Sequence, residues 1–420
     1  MLVTPKVELH VHLDGALKHT TAWELLKKKN LHLPGNGSYE AFLDSIIVKE
    51  PDSLMTFLRG FGIFLPAVIG DLEAIERMSY EFCESAAEQG VIYVEARYCP
   101  FLLMPDSFTE ANFLSQNTGN HDKNGKQIST KEVVEAVNKG FQDGERQFGT
   151  IARTILCCIR GKPEWSKEIL DLCIQFKDQG VVGIDIAGDE AGEKPIPGEE
   201  SGELIDYWRI ACCANYFHTF SPIELRMLDA EDIAVFEKAA ELGIHRTVHA
   251  GEAGPAQMVW KALTVLKAER IGHGYRVLED DSIYNHCLNK GVHFECCPTS
   301  SMLTGSVSIC GTKTHPIMRF AQDGASFSIS TDDPTVTNTN LSDEYALCAK
   351  WGLTIAQLQE TVSYREIGSP SITVNIHFLL TEYQCNEKFI CRTIYKAIHF
   401  RKTLQCIWFE KPKLKIKLNW

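Results

Sequence analysis

Short apolar runs recur along the chain, and each is followed by a polar or glycine-containing turn and then by a longer amphipathic stretch. Eight of these runs have the length and the β-branched or aromatic composition of buried strands. They cover residues 6–13, 91–98, 153–159, 181–187, 246–250, 270–275, 292–297 and 326–331. The intervening stretches, such as residues 72–89 and 131–148, carry apolar side chains at helical spacing. This alternation predicts parallel β-α-β units.

Eight such units predict an α/β fold, the (β/α)8 TIM-type barrel. The alternative is a doubly wound open sheet, which usually carries a glycine-rich phosphate-binding turn after its first strand. The first run here ends in HLDG instead, and we therefore favour the barrel. We expect it to occupy residues 1–360, interrupted by an atypical, aromatic-rich insertion at about residues 200–232. Residues 361–420 lose the alternation and turn basic, which indicates a divergent tail of uncertain folding.

Residues with catalytic or metal-binding potential are concentrated where the predicted strands end. In a TIM-type barrel the carboxyl ends of all eight strands meet at one rim, where the active sites of this fold lie. These residues are therefore predicted to be neighbours in space although they are far apart in the sequence. They are His10, His12, Asp14, Gly188, His249, Glu252, His273, Asp332 and Asp333.

The first strand predicts a metal site at this rim. His10 and His12 are two residues apart on a strand, so their imidazoles point to the same face. Such a pair alone is a weak signal, since surface or hydrogen-bonded histidine pairs are common. His249 and Asp332 at two other strand ends strengthen it, because three imidazole nitrogens and one carboxylate oxygen suit zinc. We expect one Zn²⁺ per chain, which would bring the pKa of a bound water to about 7.

Three further residues are candidates for proton transfer. Glu252 lies three residues beyond His249 and could lend a proton, although a glutamate in the first turn of the next helix is an equally ordinary role. His273 has glycine on both sides, which leaves its ring free to reach a metal-bound water. Asp333 could orient that water through a hydrogen bond, whereas the alternative for the sequence DDP is a simple turn before proline.

Several residues are candidates for substrate contacts. Gly188 presents a backbone N–H without a side chain in the way, and Asp14 is placed to accept a hydrogen bond from a ligand hydroxyl. Leu58 and Phe61 could form an apolar wall, although residues at that spacing are more often plain helix core. His12 would contact the substrate as well as the metal.

Five motifs in this order resemble the adenosine deaminase family of the metal-dependent hydrolase superfamily. They are PKVELHVHLDGA, AGDE, GIHRTVHAGE, ERIGHGY and STDDP, and the resemblance extends over about residues 5–358. It implies the hydrolytic deamination of adenosine and 2′-deoxyadenosine to inosine and 2′-deoxyinosine, with release of ammonia, in purine catabolism and salvage. It also implies the zinc ligands His10, His12, His249 and Asp332. The zinc deaminases that carry H-x-E and P-C-x-x-C motifs are a different class.

The resemblance assigns the remaining residues to parts of a purine nucleoside. Glu252 resembles the acid that protonates N1, and His273 the base or electrostatic partner of the water that attacks C6. Asp333 resembles the residue that orients this water and then contacts N7. Gly188 matches the backbone donor to N3, and Asp14 the acceptor for the ribose 5′-hydroxyl.

The chain departs from the family in three places. The connection from AGDE to the fifth strand is about 30 residues longer than usual, the seventh strand ends in CPTSS, and the usual closing helices are not recognisable beyond residue 361. Two alternative functions therefore stay open. The substrate could be adenosine monophosphate or a modified form of it, or the chain could be a catalytically silent barrel or splice variant that acts only by binding.

The composition limits the kinds of molecule that the protein is expected to bind. The chain has 420 residues, 44% of them hydrophobic, and a formal net charge of −13, which argues against a general nucleic-acid surface. The 15 cysteines are odd in number, include three adjacent pairs and form no C-x-x-C, so we expect them to be reduced. The N-terminus lacks a signal pattern, and no apolar run is long enough to cross a membrane. We expect a monomeric cytoplasmic protein with a small-molecule partner and neither nucleic acid nor membrane.

Overall fold

Eight parallel strands in sequence order form the sheet of the protein. The computed structural model describes residues 5–105, 128–188, 190, 228–309 and 314–361, all within the compact unit Met1–Gly368. In the described residues the strands are β1 (Lys6–His12), β2 (Val91–Tyr98), β3 (Ile151–Ile159), β4 (Val181–Ala187), β5 (His245–Ala250), β6 (Arg270–His273), β7 (His293–Cys296) and β8 (Ser326–Ile329).

Each strand pairs in parallel with its neighbour in the sequence, and β8 returns to β1. The closing contact lies just beyond β8, where Asp332 forms a bridge with Val11. The His12 N–H donates to the Asp332 carbonyl at 2.8 Å, and the Asp332 N–H donates to the His10 carbonyl at 3.1 Å. The predicted TIM-type barrel is confirmed, and its closure coincides with two of the predicted metal ligands.

Helices alternate with the strands, as the amphipathic stretches predict. Those that the structure describes are α1 (His19–Lys28), α2 (Tyr39–Ile46), α3 (Leu54–Phe64), α4 (Leu72–Glu88), α5 (Thr130–Phe148), α6 (Pro163–Phe176), α7 (Ala230–Glu241), α8 (Ala256–Thr264), α9 (Asp281–Lys290), α10 (Pro298–Leu303), α11 (Pro316–Asp323), α12 (Pro334–Thr337), α13 (Leu341–Trp351) and α14 (Ile355–Glu360). Local signals set their ends. In α5, for example, a capping box of Ser129 and Glu132 starts the helix.

The last three strands are shorter than predicted, and β6 shows why. Residues 270–275 were expected to be extended, but Gly274 adopts φ +74° and the chain turns there into a 3₁₀ segment. The predicted strand ran on to Tyr275 because aromatic residues are typical of strands. Tyr275 instead begins the 3₁₀ segment, where its side chain is only 2% exposed.

The barrel interior is polar over much of its height. Along β1 the odd-numbered residues are apolar and the even-numbered residues are polar, and alternate residues of a barrel strand face the helices and the interior. Arg97 of β2, Asp185 of β4 and Glu295 of β7 meet in the interior, and all three are fully buried. This layer lies below the strand ends and supports the site described next.

Several expectations fall mainly outside the described residues. Of the expected insertion the structure describes residues 228–232, where α7 begins at Ala230, and of the tail only Thr361. Within the described ranges, the cysteines are all buried and free. None of the helices described there is long and apolar enough to cross a membrane.

Candidate metal centre and active site

Four donor atoms from the ends of β1, β5 and β8 converge at the rim. The His12 Nε2 lies 3.2 Å from the His249 Nε2. The Asp332 Oδ1 lies 3.3 Å from the His10 Nε2 and 3.5 Å from the His12 Nε2. The structure thus brings together all four residues that the sequence nominated as ligands, from positions that span most of the chain.

The far nitrogens of two of these rings lie beside buried carboxylates. The His10 Nδ1 lies 2.8 Å from the Glu295 Oε2, and the His249 Nδ1 lies 2.8 Å from the Asp185 Oδ2. A carboxylate beside Nδ1 favours the tautomer that carries its proton on Nδ1. The Nε2 atoms of His10 and His249 are then lone-pair donors directed at the shared space, as a metal ligand requires.

The donor set fits a metal ion on geometric grounds. Ligand atoms at about 2.1 Å from one tetrahedral ion are roughly 3.4 Å apart, and the distances here are 3.2, 3.3 and 3.5 Å. The His10 Nε2 is buried and has no hydrogen-bond partner within the part of the chain that the structure describes. A buried polar atom without a partner is rare and indicates a missing ligand.

His273 also reaches this cluster. Its donor nitrogen, together with those of His10 and His249 and an oxygen of Asp332, falls in a group whose atoms all lie within 4.8 Å of one another. Its Nε2, however, is 3.9 Å from the Asp332 Oδ2 and 3.5 Å from the Glu252 Oε2. His273 therefore lies between the donor cluster and the candidate acid. His12, by contrast, faces the same Asp332 Oδ1 as His10.

Glu252 is buried at the rim and surrounded by other acids. Burial, followed by the charges of Asp332 and Glu190, raises the pKa of Glu252 well above its ordinary value. This shift favours the protonated carboxyl group. Burial also holds the pKa of His273 well below its ordinary value, which favours the neutral imidazole. The candidate acid and the candidate base thus lie 3.5 Å apart.

Asp14 and Asp333 complete the polar lining. Both are buried, and the Oδ1 atom of each has no hydrogen-bond partner among the described residues. Burial raises the pKa of Asp14 to about 7, and burial together with Asp332 raises that of Asp333 well above its ordinary value. Two buried acceptors without partners leave room for hydrogen bonds to a bound ligand.

The remaining candidates for substrate contacts are Gly188, Leu58 and Phe61. Gly188 directly follows β4 and adopts φ +96°, a conformation that other residues rarely tolerate. Leu58 and Phe61 are buried on α3, and Phe61 packs its ring 5.1 Å from that of Phe64. The roles of these three residues in substrate binding stay predictions.

Two of the site residues have strained backbones. His273 and Asp332 adopt φ values of +63° and +67°, in the left-handed region that residues other than glycine seldom enter. Such strain costs about 1–3 kcal/mol and persists where the surrounding structure enforces it, often at functional sites. At these strand ends the left-handed turn aims the side chain across the rim.

Sequence reasoning overlooked a second set of residues that support the site. They are Arg97, Asp185, Glu190, Glu295 and Ser300. The Ser300 Oγ donates to the Asp332 Oδ2 at 2.7 Å, and the carboxylates of Asp185 and Glu295 contact the ligand imidazoles. A usable signal existed, because a charged residue within an otherwise apolar predicted strand has to find a partner in the barrel interior.

The chain is similar in sequence to known proteins over most of its length. The chain matches the family model described as adenosine deaminase over residues 5–201 and 225–363. It is 41% identical to an adenosine deaminase from Danio rerio, and the match covers 83% of this chain and 85% of the relative. It is also 41% identical to an adenosine deaminase from Gallus gallus, with the same coverage of each chain.

Solved structures share the fold at lower identity. An adenine deaminase from Arthrobacter aurescens superposes with a TM-score of 0.65 at 20% identity, covering 90% of this chain and 98% of that one. A zinc-bound amidohydrolase from Burkhoderia ambifaria gives 0.62 at 23%, covering 86% and 84%. An N6-mAMP deaminase from Arabidopsis gives 0.63 at 22%, covering 90% and 98%.

Proposed function

Because the chain belongs to the adenosine deaminase family, we propose that it deaminates adenosine and 2′-deoxyadenosine by hydrolysis, releasing ammonia and forming inosine and 2′-deoxyinosine. One observation supports this assignment independently of family membership. Three imidazoles and a carboxylate converge at the barrel rim beside a buried glutamate whose pKa is raised. Hydrolytic deamination needs both a site that activates water and an acid that protonates the ring.

The metal would be held by His10, His12, His249 and Asp332, and we propose one Zn²⁺ per chain. Three nitrogen donors and one oxygen donor at the observed separations suit this ion, and the fold-related amidohydrolase described above has Zn bound. When bound, the ion supplies Lewis acidity, which brings the pKa of water to about 7. Asp185 and Glu295 keep two of the ligand rings in the required tautomer.

Glu252 supplies the proton. Burial and nearby carboxylates raise its pKa well above the ordinary value, which favours the protonated form that this role needs. Transfer of that proton to N1 of the purine lets the ring accept electron density as water adds to C6. The hydroxyl groups of Thr304 and Ser306 lie 3.4 and 3.5 Å from its Oε1 and leave Oε2 on the side of His273.

His273 and Asp333 act on the attacking water. The neutral imidazole of His273 accepts a proton from it and carries that proton toward the leaving ammonia. The buried Asp333 carboxyl group orients the water and then contacts N7. The Glu252 Oε2 lies 3.5 Å from the His273 Nε2, so the two groups can exchange a proton.

The remaining contacts position the nucleoside. The Gly188 N–H donates to N3, and the Asp14 carboxylate accepts from the 5′-hydroxyl of the ribose. Leu58 and Phe61 form an apolar wall beside the base, and His12 touches the substrate as well as the metal. We further propose a monomeric cytoplasmic enzyme whose partner is this small molecule.

Adenosine monophosphate is a weaker candidate. A phosphate in place of the 5′-hydroxyl would bring negative charge to the buried carboxyl group of Asp14, where like charges repel. Phosphate sites usually provide arginine, lysine or a helix N-terminus at the same place. The charge of Asp14 therefore favours the nucleoside.

Turnover by the purified full chain decides among these functions. We expect loss of absorbance at the adenosine band, one zinc per chain, and little turnover of adenosine 5′-monophosphate. If the enzyme prefers the monophosphate, adenosine monophosphate takes the place of adenosine as the proposed substrate. Protein that contains no metal and turns over neither compound would indicate a silent barrel.

A further inference from the structure

Glu190 places its carboxylate within the turn that follows β5. The side chain is 6% exposed and accepts three backbone hydrogen bonds. The Gly251 N–H donates to Oε1 at 2.7 Å, the Glu252 N–H donates to Oε2 at 3.0 Å, and the Gly254 N–H donates to Oε2 at 2.7 Å. The carboxylate thus satisfies three amides of one short turn.

The turn is shaped around this carboxylate. A Cβ atom at Gly254 would lie 2.7 Å from the carboxyl carbon of Glu190, so only glycine permits the approach. The other side of the turn is also held, because the Arg276 N–H donates to the Gly251 carbonyl and its Nη1 donates to the Ala253 carbonyl. Since α8 begins only at Ala256, Glu190 binds the turn and does not cap this helix.

The turn carries Glu252, whose own side chain is weakly held. Its nearest hydrogen-bond partners in the described residues lie at 3.4 and 3.5 Å, the long end of the hydrogen-bond range. The position of the Glu252 carboxyl group therefore depends on its backbone, and that backbone is held by Glu190. Charge-assisted hydrogen bonds to buried amides are among the stronger polar contacts in proteins.

We propose that Glu190 is a positioning residue for proton transfer, acting through the backbone of Glu252. This inference rests on the role of Glu252 in the proposed function. Glu190 follows Gly188 by two residues, so it also ties the loop after β4, which is proposed to contact N3, to the turn that delivers the proton to N1. N1 and N3, the ring nitrogens on either side of C2, are in this way contacted by two loops that one carboxylate joins.

A double-mutant cycle tests the proposal in the zinc-loaded full chain. Glu190→Gln keeps the size of the side chain but turns an amide N–H₂ toward backbone donors. We expect kcat for adenosine to fall about 10–100-fold, as for a catalytic group displaced by a fraction of an ångström, with KM changed less than about threefold. Glu135→Gln on the exposed face of α5 is the matched control and should leave kcat unchanged.

The second arm of the cycle separates positioning from a general structural effect. In a Glu252→Gln background the added Glu190→Gln change should lower kcat by less than about twofold, because the group that it positions is gone. Additive losses in the double mutant would overturn the proposal, as would a normal kcat for Glu190→Gln. If Glu190→Gln fails to fold, Glu190→Asp, which keeps the charge but shortens the reach, takes its place in the same cycle.

Amide hydrogen exchange provides a readout independent of turnover. The amides of residues 251, 252 and 254 should exchange at least about tenfold faster in Glu190→Gln than in wild type, while those of β5 stay unchanged. Equal exchange in both proteins overturns the positioning role. A zinc-loaded wild type without deaminase activity overturns the proposed function and this role with it, whereas an active wild type with additive losses overturns only the role of Glu190.

Discussion

The barrel interior contains two polar layers that differ in how their charges are satisfied. In the lower layer, Glu295 alone accepts hydrogen bonds from Arg97, Thr247 and Arg270 and contacts His10. Asp185 pairs with Arg97 at 2.8 Å. In the layer at the rim, the His10 Nε2 and the Oδ1 atoms of Asp14 and Asp333 have no hydrogen-bond partner in the described part of the chain.

The two layers therefore have different roles, although the same strands carry both. The lower layer supports the structure, and the rim is the candidate site of the chemistry. Buried charges are tolerated when they are paired and hydrogen-bonded, and are costly otherwise. The charged groups of the lower layer are paired without a ligand, although the Arg97 Nε has no hydrogen-bond partner among the described residues. At the rim several residues have such atoms, which supports the proposed binding of a metal ion and a polar substrate there. A cluster of unpaired polar atoms is thus a better guide to the site than charge alone.

The largest expected effect comes from removing chemistry at the rim while leaving the lower layer intact. Glu252→Gln should lower kcat by about 10²–10⁴-fold, because the amide has no proton to give to N1. The variant should retain its metal and its melting temperature, since Glu252 is not among the proposed ligands. Steady-state kinetics and metal analysis check this, and normal turnover by the variant would remove Glu252 from the mechanism.

Breaking the lower layer should instead affect stability first. Arg97→Met leaves the Asp185 and Glu295 carboxylates without their shared cation, and loss of one partner of a buried pair costs about 3–5 kcal/mol. Urea unfolding of the metal-free protein measures this cost. Arg77→Met, which removes a half-exposed partner of Glu24, is the control and should cost less than about 1 kcal/mol.

Metal affinity should respond to Arg97→Met as well, because the two carboxylates orient His10 and His249. Loss of such supporting contacts typically weakens metal binding about 10–100-fold. A competitive chelator titration measures it. Unchanged stability and affinity in this variant would show that the lower layer does not support the rim.

The smallest expected effect is a pH dependence of the free energy of unfolding that comes from a residue below the rim. His293 is buried at the lower end of β7 between the hydroxyl groups of Ser326 and Ser328, and burial, followed by Arg270, lowers its pKa to about 3. Between pH 6.5 and 3 the unfolded chain binds a proton at this ring and the folded chain does not. Stability is therefore lost as pH falls through this window, by up to about 1.4 kcal/mol per pH unit from this residue.

His293→Gln tests this dependence. The free energy of unfolding, measured in urea at pH 7, 6 and 5, should fall less steeply in the variant than in wild type. Equal slopes would show that His293 titrates normally in the folded protein. The variant should keep kcat at pH 7, because its position lies below the rim.

The sequence predicted the barrel and the convergence of the ligands well, for one physical reason. Strand ends in a parallel barrel share one rim, so His10, His249 and Asp332 could be placed together from their positions in the pattern alone. Glu190 and Arg97 escaped prediction, because their roles depend on which backbone amides or carboxylates they meet across the barrel. Such pairings follow from register and turn geometry, which spacing along the chain does not specify.

The predicted ends of the later strands were wrong for a related reason. An aromatic residue such as Tyr275 can be buried in a turn as well as in a strand, and periodicity alone cannot separate the two. His273 is in the left-handed region just at this point. Local strain that aims a side chain across the rim is set by the closed barrel and has no signature in the sequence.

The closure of the barrel also has a consequence for how the protein is made. The hydrogen bond from the His10 N–H to the Ser330 Oγ joins residues 320 positions apart, and Asp332 completes the ring beside it. Contacts of such long sequence separation form late and slowly in folding. A nascent chain that has not yet emerged past β8 therefore lacks Asp332, one of the proposed metal ligands, and a bound ion would stabilise only the finished barrel.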